Sequence, residues 1–503
     1  MKAWLIATLL TLVSIGWSQQ AISPDTVAIT HVTIINLNGE PSQSEMTVLI
    51  RAGKIFTIGK TGQSQIPEEA TQFDGTGKFL MPGLWDMHVH ILTPERDFPM
   101  FIANGVLAVR NMGGVPKDVF QWRADVASGR VLGPRMVACG PVVDGPHPAH
   151  PEHAISVSTA DDGRRAVQSL KQMGADFVKV YDGLSRDAYF AIVQESKRVG
   201  LPFAGHVPGS ITQEEASNAG QHSIEHGIGI LPSLDYEKNK PAPTGYFEEA
   251  MRTKNFSLIP EGIAKEGNGE LDHFSPQRTQ ELYQTFITNS TYLTPTRVVD
   301  RGLTFIDDIS NKQDDPRLQY VPASMREDWK PQNGMLTRYR TPDYIAFRKR
   351  RYDMTTRQML IAHRLGVSFL AGTDVSAAYT YPGFSLHDEL ALFVEAGFTP
   401  LEALRTATVN PARFFGMTDS MGSIEVGKTG DLVVLDANPL VDISNTKRIF
   451  AVIVGGRLLK RSDLNSLLQE AKAAAKSLKS EAPTGSKPEA PAAPSLSRTL
   501  RKG

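Results

Sequence analysis

The sequence predicts an α/β fold, a (β/α)8 TIM barrel with a small β-sandwich domain built from both chain ends. Three observations carry this expectation. Eight short apolar runs punctuate the middle of the chain, and most are followed by an amphipathic stretch of helical period. Two strand-rich stretches, one towards each end, are each too short for a covered sheet and are expected to pair with one another. The length of 503 residues suits one large domain plus a small one.

In chain order, Lys2 followed by the apolar run Ala3–Gly16 reads as a secretory signal peptide, residues 1–18, with Gly16 and Ser18 as the small residues before the cut. The apolar run falls short of the ~20 residues of a membrane span. No integral span is therefore expected after cleavage, and the mature chain is expected to be exported, periplasmic or secreted. Residues 19–82 supply the N-terminal part of the small β domain, through the strand-like Val27–Ile35 and Met46–Gly59. The barrel is expected over 83–415, with runs at Gly83–His90, Val106–Arg110, Arg135–Gly140, Asp176–Tyr181, Leu201–His206, Gln221–His226, Thr291–Thr296 and Val367–Asp374. Ser185–Val199 and Ser385–Ala396 are examples of the helices between them. Two insertions, about 231–289 and 298–341, are polar and punctuated by Pro and Gly. They are expected as lids or partly disordered loops on the active-site face. Residues 416–462 return to strand-like sequence, in Asp431–Asp436 and Ile449–Leu459, and complete the small domain. The Ala-, Pro- and Lys-rich segment 471–503 is expected as a disordered tail.

Composition excludes several classes. Lys plus Arg number 53 against 54 Asp plus Glu, a formal charge of −1, so nothing electrostatic favours a nucleic-acid or anionic-membrane partner. The one cysteine, Cys139, excludes an intrachain disulfide and the cysteine-ligated zinc folds.

Chemistry concentrates where the runs end. The first closes on Met-His-Val-His, and residues two apart on a strand share a face, so His88 and His90 point together. Lys179 lies in the fourth run, His206 and His226 end the fifth and sixth, and Asp374 ends the eighth. Barrel enzymes assemble their sites from the C-terminal ends of several strands. Among the other histidines, His222 rivals His226 but is expected to lie deeper, as a hydrogen-bonded core residue. In the loop after the third run His147 is the expected substrate contact, with His150 and His153 on the surface. Tyr181 shares the Lys179 face and is expected near substrate. Arg110, at a strand end, either binds a substrate carboxylate or pairs with a structural acid.

The series His-x-His, Lys, His, His, Asp, in this order and strand context, resembles the amidohydrolase superfamily. So do Val-Arg-Asn-Met-Gly-Gly at 109–114, Ile-Glu-His-Gly at 224–227 and the stretch Gly422–Asp436. The likeness spans about residues 25–460 and is greatest to the imidazolonepropionase-like and Xaa-Pro dipeptidase-like branch. It implies a binuclear metal hydrolase, with zinc the expected metal. His88, His90 and Asp374 would hold one ion, and His206 and His226 the other. Lys179, carboxylated by carbon dioxide to a carbamate, would bridge both. Metal-bound hydroxide would attack an amide-like C–N bond in a dipeptide, N-acyl amino acid or cyclic amide, with Asp374 carrying the proton to the leaving nitrogen. Hydrolysis of a lactone, ester or phosphotriester at the same centre is the alternative. A mononuclear deaminase fits less well because the bridging lysine is present, and a non-catalytic binding protein because every ligand type is retained. The expected partner is a small-molecule substrate. Homo-oligomerisation stays open.

Overall fold

The computed structural model describes residues 26–239, 246–311, 314–333 and 337–478. The expected signal peptide, and the tail beyond residue 478, lie outside the described residues.

The two chain ends do pair. The N-terminal strands Thr26–Ile34, Gln43–Arg51, Lys54–Lys60, Thr71–Asp74 and Phe79–Pro82 join Leu432–Leu435, Ile449–Val454 and Arg457–Lys460. The seam is the antiparallel pairing of Phe79–Pro82 with Leu432–Leu435. The result is one continuous eight-stranded sheet, not the two facing sheets of a sandwich. The sheet curls, so that Lys54 bridges Thr429 ahead of Leu432–Leu435. Its inner face is a shared core of Ile29, Val48 and Ile50 from one end and Leu432, Val434 and Ile453 from the other. Apolar side chains at every second position on both segments are what demand this pairing.

Two parallel sheets carry the rest. One holds Leu84–Val89, Val106–Asn111 and Arg135–Ala138 side by side. The other runs Ala154–Ser156, Val142–Asp144, Val178–Val180, Phe203–Gly205, Ser223–Glu225 and Tyr292–Thr294. The Asp176 amide donates to the Ala138 carbonyl across the join. The eighth apolar run contains no full strand, yet its backbone is bonded on both sides. Leu370 N–H donates to Leu293 O, while Met87 N–H donates to Ala371 O and Asp374 N–H to His88 O. This close approach needs Gly372, where a Cβ would lie 2.7 Å from both His88 Cβ and Thr294 Cγ2.

Helices follow the strands as the periodicity predicts. Ala160–Met173, Arg186–Val199 and Gln213–Ala219 start at Thr159, Ser185 and Thr212, each of whose hydroxyls accepts from a first-turn amide. Their buried faces cover the strands through Val167, Leu170, Ile192 and Ala216.

Two expectations are corrected here. The insertions are largely helical, containing Leu234–Asn239, Tyr246–Thr253, Leu258–Asp272 and Pro276–Thr288, and then Arg297–Thr304 and Ala323–Asp328. Their glycines and prolines mislead because they serve packing and helix starts. Pro276 opens its helix, and a Cβ on Gly267 would meet the Phe347 ring at 2.3 Å. The tail also begins later than 471. Helix Arg461–Ser477 extends through that point, lies against helix Pro94–Ala103, and fully buries Ala471 in a cluster with Met100 and Tyr381. Among the described residues no helix is long and apolar enough to cross a membrane.

The buried position of Ala471 gives a test. Ala471→Asp places an unpaired carboxylate in an apolar contact and should destabilise the protein by roughly 3 kcal/mol, read as a lowered urea midpoint. An unchanged midpoint would mean that this helix does not dock.

Candidate metal centre

Six side chains from five segments of the chain approach one place. His88 and His90 flank Val89 at the end of Leu84–Val89, and both rings turn to the same side, with centroids 5.4 Å apart. Asp374 comes from the bonded eighth run, and its Oδ1 lies 3.4 Å from His88 Nε2 and 3.3 Å from His90 Nε2. One ligand atom from each of these three lies within 4.8 Å of the other two, a spacing that could hold a metal ion. The His226 ring is 4.7 Å from that of His88 and 4.8 Å from that of His206. Lys179 is fully buried on Val178–Val180, with its Nζ 5.8 Å from the Tyr181 ring.

Two of these side chains reach the centre only through unusual backbone. Along Ser223–Glu225 the inward positions are Ser223 and Glu225, both bonded to Arg110, so strand alternation would turn His226 away. A left-handed conformation, φ 63°, returns it to the centre. Asp374, at φ 52°, is aimed in the same way. His226 Nδ1 is then held 2.7 Å from Thr296 Oγ1, and Thr296 itself has φ 45°.

The electrostatics suit ligation. Burial, reinforced by the charges of Lys179, His226 and His90, holds His88 far below the usual imidazole range. Burial likewise brings His226 down to about 4. Both rings are therefore neutral at pH 7, the form that donates a lone pair. Burial pushes Asp374 up, but the His90 hydrogen bond and the charges of His226, His90 and Lys179 outweigh it and bring the carboxyl to about 2. The Lys179 amine is lowered, chiefly by burial. Two buried polar atoms here have no hydrogen-bond partner, His88 Nε2 and Lys179 Nζ. An unpaired buried donor or acceptor costs about 1–3 kcal/mol, so both need a partner the polypeptide does not supply. Neutral imidazoles, an ionised carboxylate and a depressed lysine fit divalent cations.

Sequence reasoning overlooked the groups that aim this set. Glu225, next to His226 in Ile-Glu-His-Gly, is fully buried at its side chain, and its Oε2 lies 2.7 Å from His88 Nδ1. Nδ1 must carry the proton of that bond, which leaves the Nε2 lone pair free. Arg110 NH2 donates to both Glu225 oxygens at 2.8 and 2.9 Å, and its Nε donates to Met87 O at 2.6 Å. Arg110 is thus committed in the buried interior, and the expectation that it binds substrate is replaced by the pairing with a structural acid. Asp86 accepts from the His88 and Thr373 amides and the Thr373 hydroxyl, fastening the first strand to the eighth run. Burial pushes its carboxyl up to about 7. His206 Nδ1 lies 3.0 Å from Asp182 Oδ1. Asp86, two positions before His88, and Glu225, next to His226, were the available signal, whereas Asp182 lies 24 positions before His206 and offered none.

The remaining expectations divide. Tyr181 stacks on His206 at 4.1 Å, as its place beside Lys179 predicts. His147 is exposed, and its side chain makes no hydrogen bond, ion pair or ring contact among the described residues. In the same loop His150 stands edge-on to Tyr181 at 6.3 Å, so it and not His147 borders the centre. His222 is exposed, not in the core, with its ring edge against Phe414. It precedes the strand that His226 follows, so it sits at the opposite end.

Glu225→Gln should weaken divalent-metal binding by about 10–100-fold, because it removes the carboxylate that orients His88. It should also cost roughly 3–5 kcal/mol by leaving Arg110 uncompensated. Elemental analysis after dialysis against graded chelator, together with thermal unfolding, measures both. Wild-type metal retention would deny Glu225 its orienting role.

Residues 332–459 match the amidohydrolase family. Dihydroorotase from Ligilactobacillus salivarius is 24% identical over 409 residues, covering 78% of this chain and 85% of that protein. The fold is shared with bottromycin amidohydrolase, at a TM-score of 0.67 and 22% identity, over 90% of this chain and 91% of that one. It is also shared with a Xaa-Pro dipeptidase holding methionine in its active site, at a TM-score of 0.63 and 20% identity, over 87% of this chain and all of that one (100%). The segment that matches the amidohydrolase family contains Asp374, and the whole-chain likeness to these solved structures is one of fold, spanning the elements that gather the histidines and Lys179.

Proposed function

We propose that this protein is an exported, metal-dependent hydrolase that cleaves an amide-like C–N bond in a small molecule such as a dipeptide, an N-acyl amino acid or a cyclic amide. The observation that carries the reading is the convergence of His88, His90 and Asp374 beside a buried lysine that has no partner. The backbone bonds that tie the eighth run to strands on both sides support a closed (β/α)8 barrel around them. His88, His90 and Asp374 would hold one divalent ion, His206 and His226 a second, and Lys179, as its carbamate, would join the two. Such ions supply Lewis acidity, activating water and polarising the scissile carbonyl.

The chain's own groups supply the rest. Asp374, ionised at neutral pH, accepts the proton of the attacking water at its carboxylate and passes it to the departing nitrogen. Arg110 and Glu225 hold His88 in one tautomer. Lys179 in its ordinary protonated form offers only donors and would repel cations, whereas a desolvated neutral amine can add carbon dioxide and become an anionic oxygen ligand.

Lys179→Ala should lose nearly all activity and bind fewer than two ions per chain, and added short-chain carboxylates should restore part of the rate. Lys179→Arg should fail equally, since guanidinium stays protonated. Full activity with two ions bound would refute the bridging role. Asp374→Asn retains an oxygen ligand but not a proton acceptor. It should keep much of its metal and slow by ~10²–10⁴-fold, more for an amide than for a matched activated ester. Rates on such a pair, with metal content in parallel, decide this.

A further inference from the structure

His88, His206 and His226 each have an oxygen at Nδ1. For His88 and His206 it belongs to a carboxylate, Glu225 and Asp182 respectively. For His226 it is the hydroxyl of Thr296, at 2.7 Å. A hydroxyl holds an imidazole less firmly than a carboxylate does. Thr296 also stands where its hydroxyl ordinarily serves another group, because it is the residue that opens helix Arg297–Thr304.

A threonine in that place has extended backbone and turns its hydroxyl onto a first-turn amide that has no acceptor within the helix. Thr159, Thr212, Thr341 and Thr399 all do so. Thr296 does neither. Its φ is 45°, and its hydroxyl makes no bond to the helix it opens. The amides it leaves are taken by a side chain from another element. Arg297 N–H donates to Glu389 Oε1 at 2.9 Å, and Val298 N–H donates to Glu389 Oε2 at 2.7 Å. Glu389 stands on helix Phe384–Glu395 and is fully buried. A carboxyl group so far from water persists where its oxygens are bonded, and these two amides bond them.

We propose that Glu389 is a positioning residue for the metal centre: by capping helix Arg297–Thr304 in place of Thr296, it holds the left-handed turn at Thr296 and releases the Thr296 hydroxyl to His226 Nδ1. This inference rests on the metal-centre reading, in which His226 is a ligand, and adds to it a residue that touches none of the ligands. Without Glu389 the Arg297 and Val298 amides would lack an acceptor. The Thr296 hydroxyl can serve the first turn of its own helix, and turning back to it would strip His226 of its Nδ1 partner. The ring would then lose the bond that selects its tautomer and orientation.

The test uses the full-length protein loaded with cobalt(II) and dialysed against graded chelator. Metal per chain and the visible absorption of the bound cobalt are both read. Glu389→Met should bind one of two ions about 10–100-fold more weakly, as expected when a ligand's orienting bond is lost, with the other ion unchanged. The absorption of the weakened ion should shift. Glu389→Gln keeps one acceptor and should fall between, and it reads the loss alone if Glu389→Met does not fold. Thr296→Val should weaken the same ion. Adding Glu389→Gln to Thr296→Val should cost no further metal affinity, because Glu389 acts through Thr296, whereas a merely structural glutamate would lower the thermal midpoint in both backgrounds without moving the cobalt signal. Wild-type affinity for both ions in either folded Glu389 variant, or additive losses in the pair, would overturn the proposal. His226→Asn separates it from the reading beneath it. If His226→Asn keeps both ions at wild-type affinity, His226 is no ligand and both fall. If His226→Asn loses an ion and the Glu389 variants do not, the proposal alone falls.

Discussion

A single buried guanidinium ties the candidate metal centre together. Arg110 stands on Val106–Asn111 and bonds to Met87 O on the strand of the first apolar run, to Ser223 and Glu225 on that of the sixth, and to Thr294 on that of the seventh. A charge so far from water is stable only when its donors are used, and the Glu225 carboxylate supplies the compensating charge. That carboxylate also accepts from the Ser223 hydroxyl and from His88 Nδ1. The need to satisfy Arg110 therefore fixes the orientation of a candidate metal ligand on a different strand. Removing either partner would leave the other charge buried alone, which is why these two residues and His88 behave as one unit.

Around this unit the backbone departs from its comfortable regions. His226, Asp374 and Thr296 are not glycines, yet all three have positive φ. Such conformations cost of order 1–3 kcal/mol each and persist only where surrounding structure enforces them. Here the enforcement is visible. His226 and Thr296 bond to each other through Nδ1 and Oγ1, and Asp374 N–H donates to His88 O. The strain has a geometric purpose. A strand offers alternate residues to its interior, and on the sixth strand those places are taken by Ser223 and Glu225. Only a reversal of the backbone at position 226 lets consecutive residues, Glu225 and the candidate ligand His226, face the same centre.

The periphery shows a related economy. The insertions that read as loops are largely helices, and one of them, Leu258–Asp272, packs its Ala264 and Leu271 against Phe347 of helix Pro342–Leu365. Rings such as Phe347 lie against glycines, so segments with little apolar periodicity still bury a firm surface. Helix Arg461–Ser477 does the same beyond the small sheet, seating Ala471 in a cluster with Met100 of helix Pro94–Ala103.

What the sequence determined by itself was local. The type of residue at the end of each apolar run is a property of a few neighbouring positions, and so His88, His90, Lys179, His206, His226 and Asp374 could be read off before any contact was known. The eight runs and the pairing of the two chain ends were legible for the same reason, as they follow from period-two apolar patterns. The tertiary structure decided everything that depends on which groups meet. Arg110 and Glu225 are far apart in sequence, and nothing in either segment says that the two are paired in the buried interior. The choice of His150 over His147 beside Tyr181 depends on how one loop lies across another strand. The curled single sheet in place of a sandwich depends on backbone bonds between the chain's two ends. Local pattern selects the chemistry and the element, but partnership in a packed interior is settled by distances between segments that only the fold brings together.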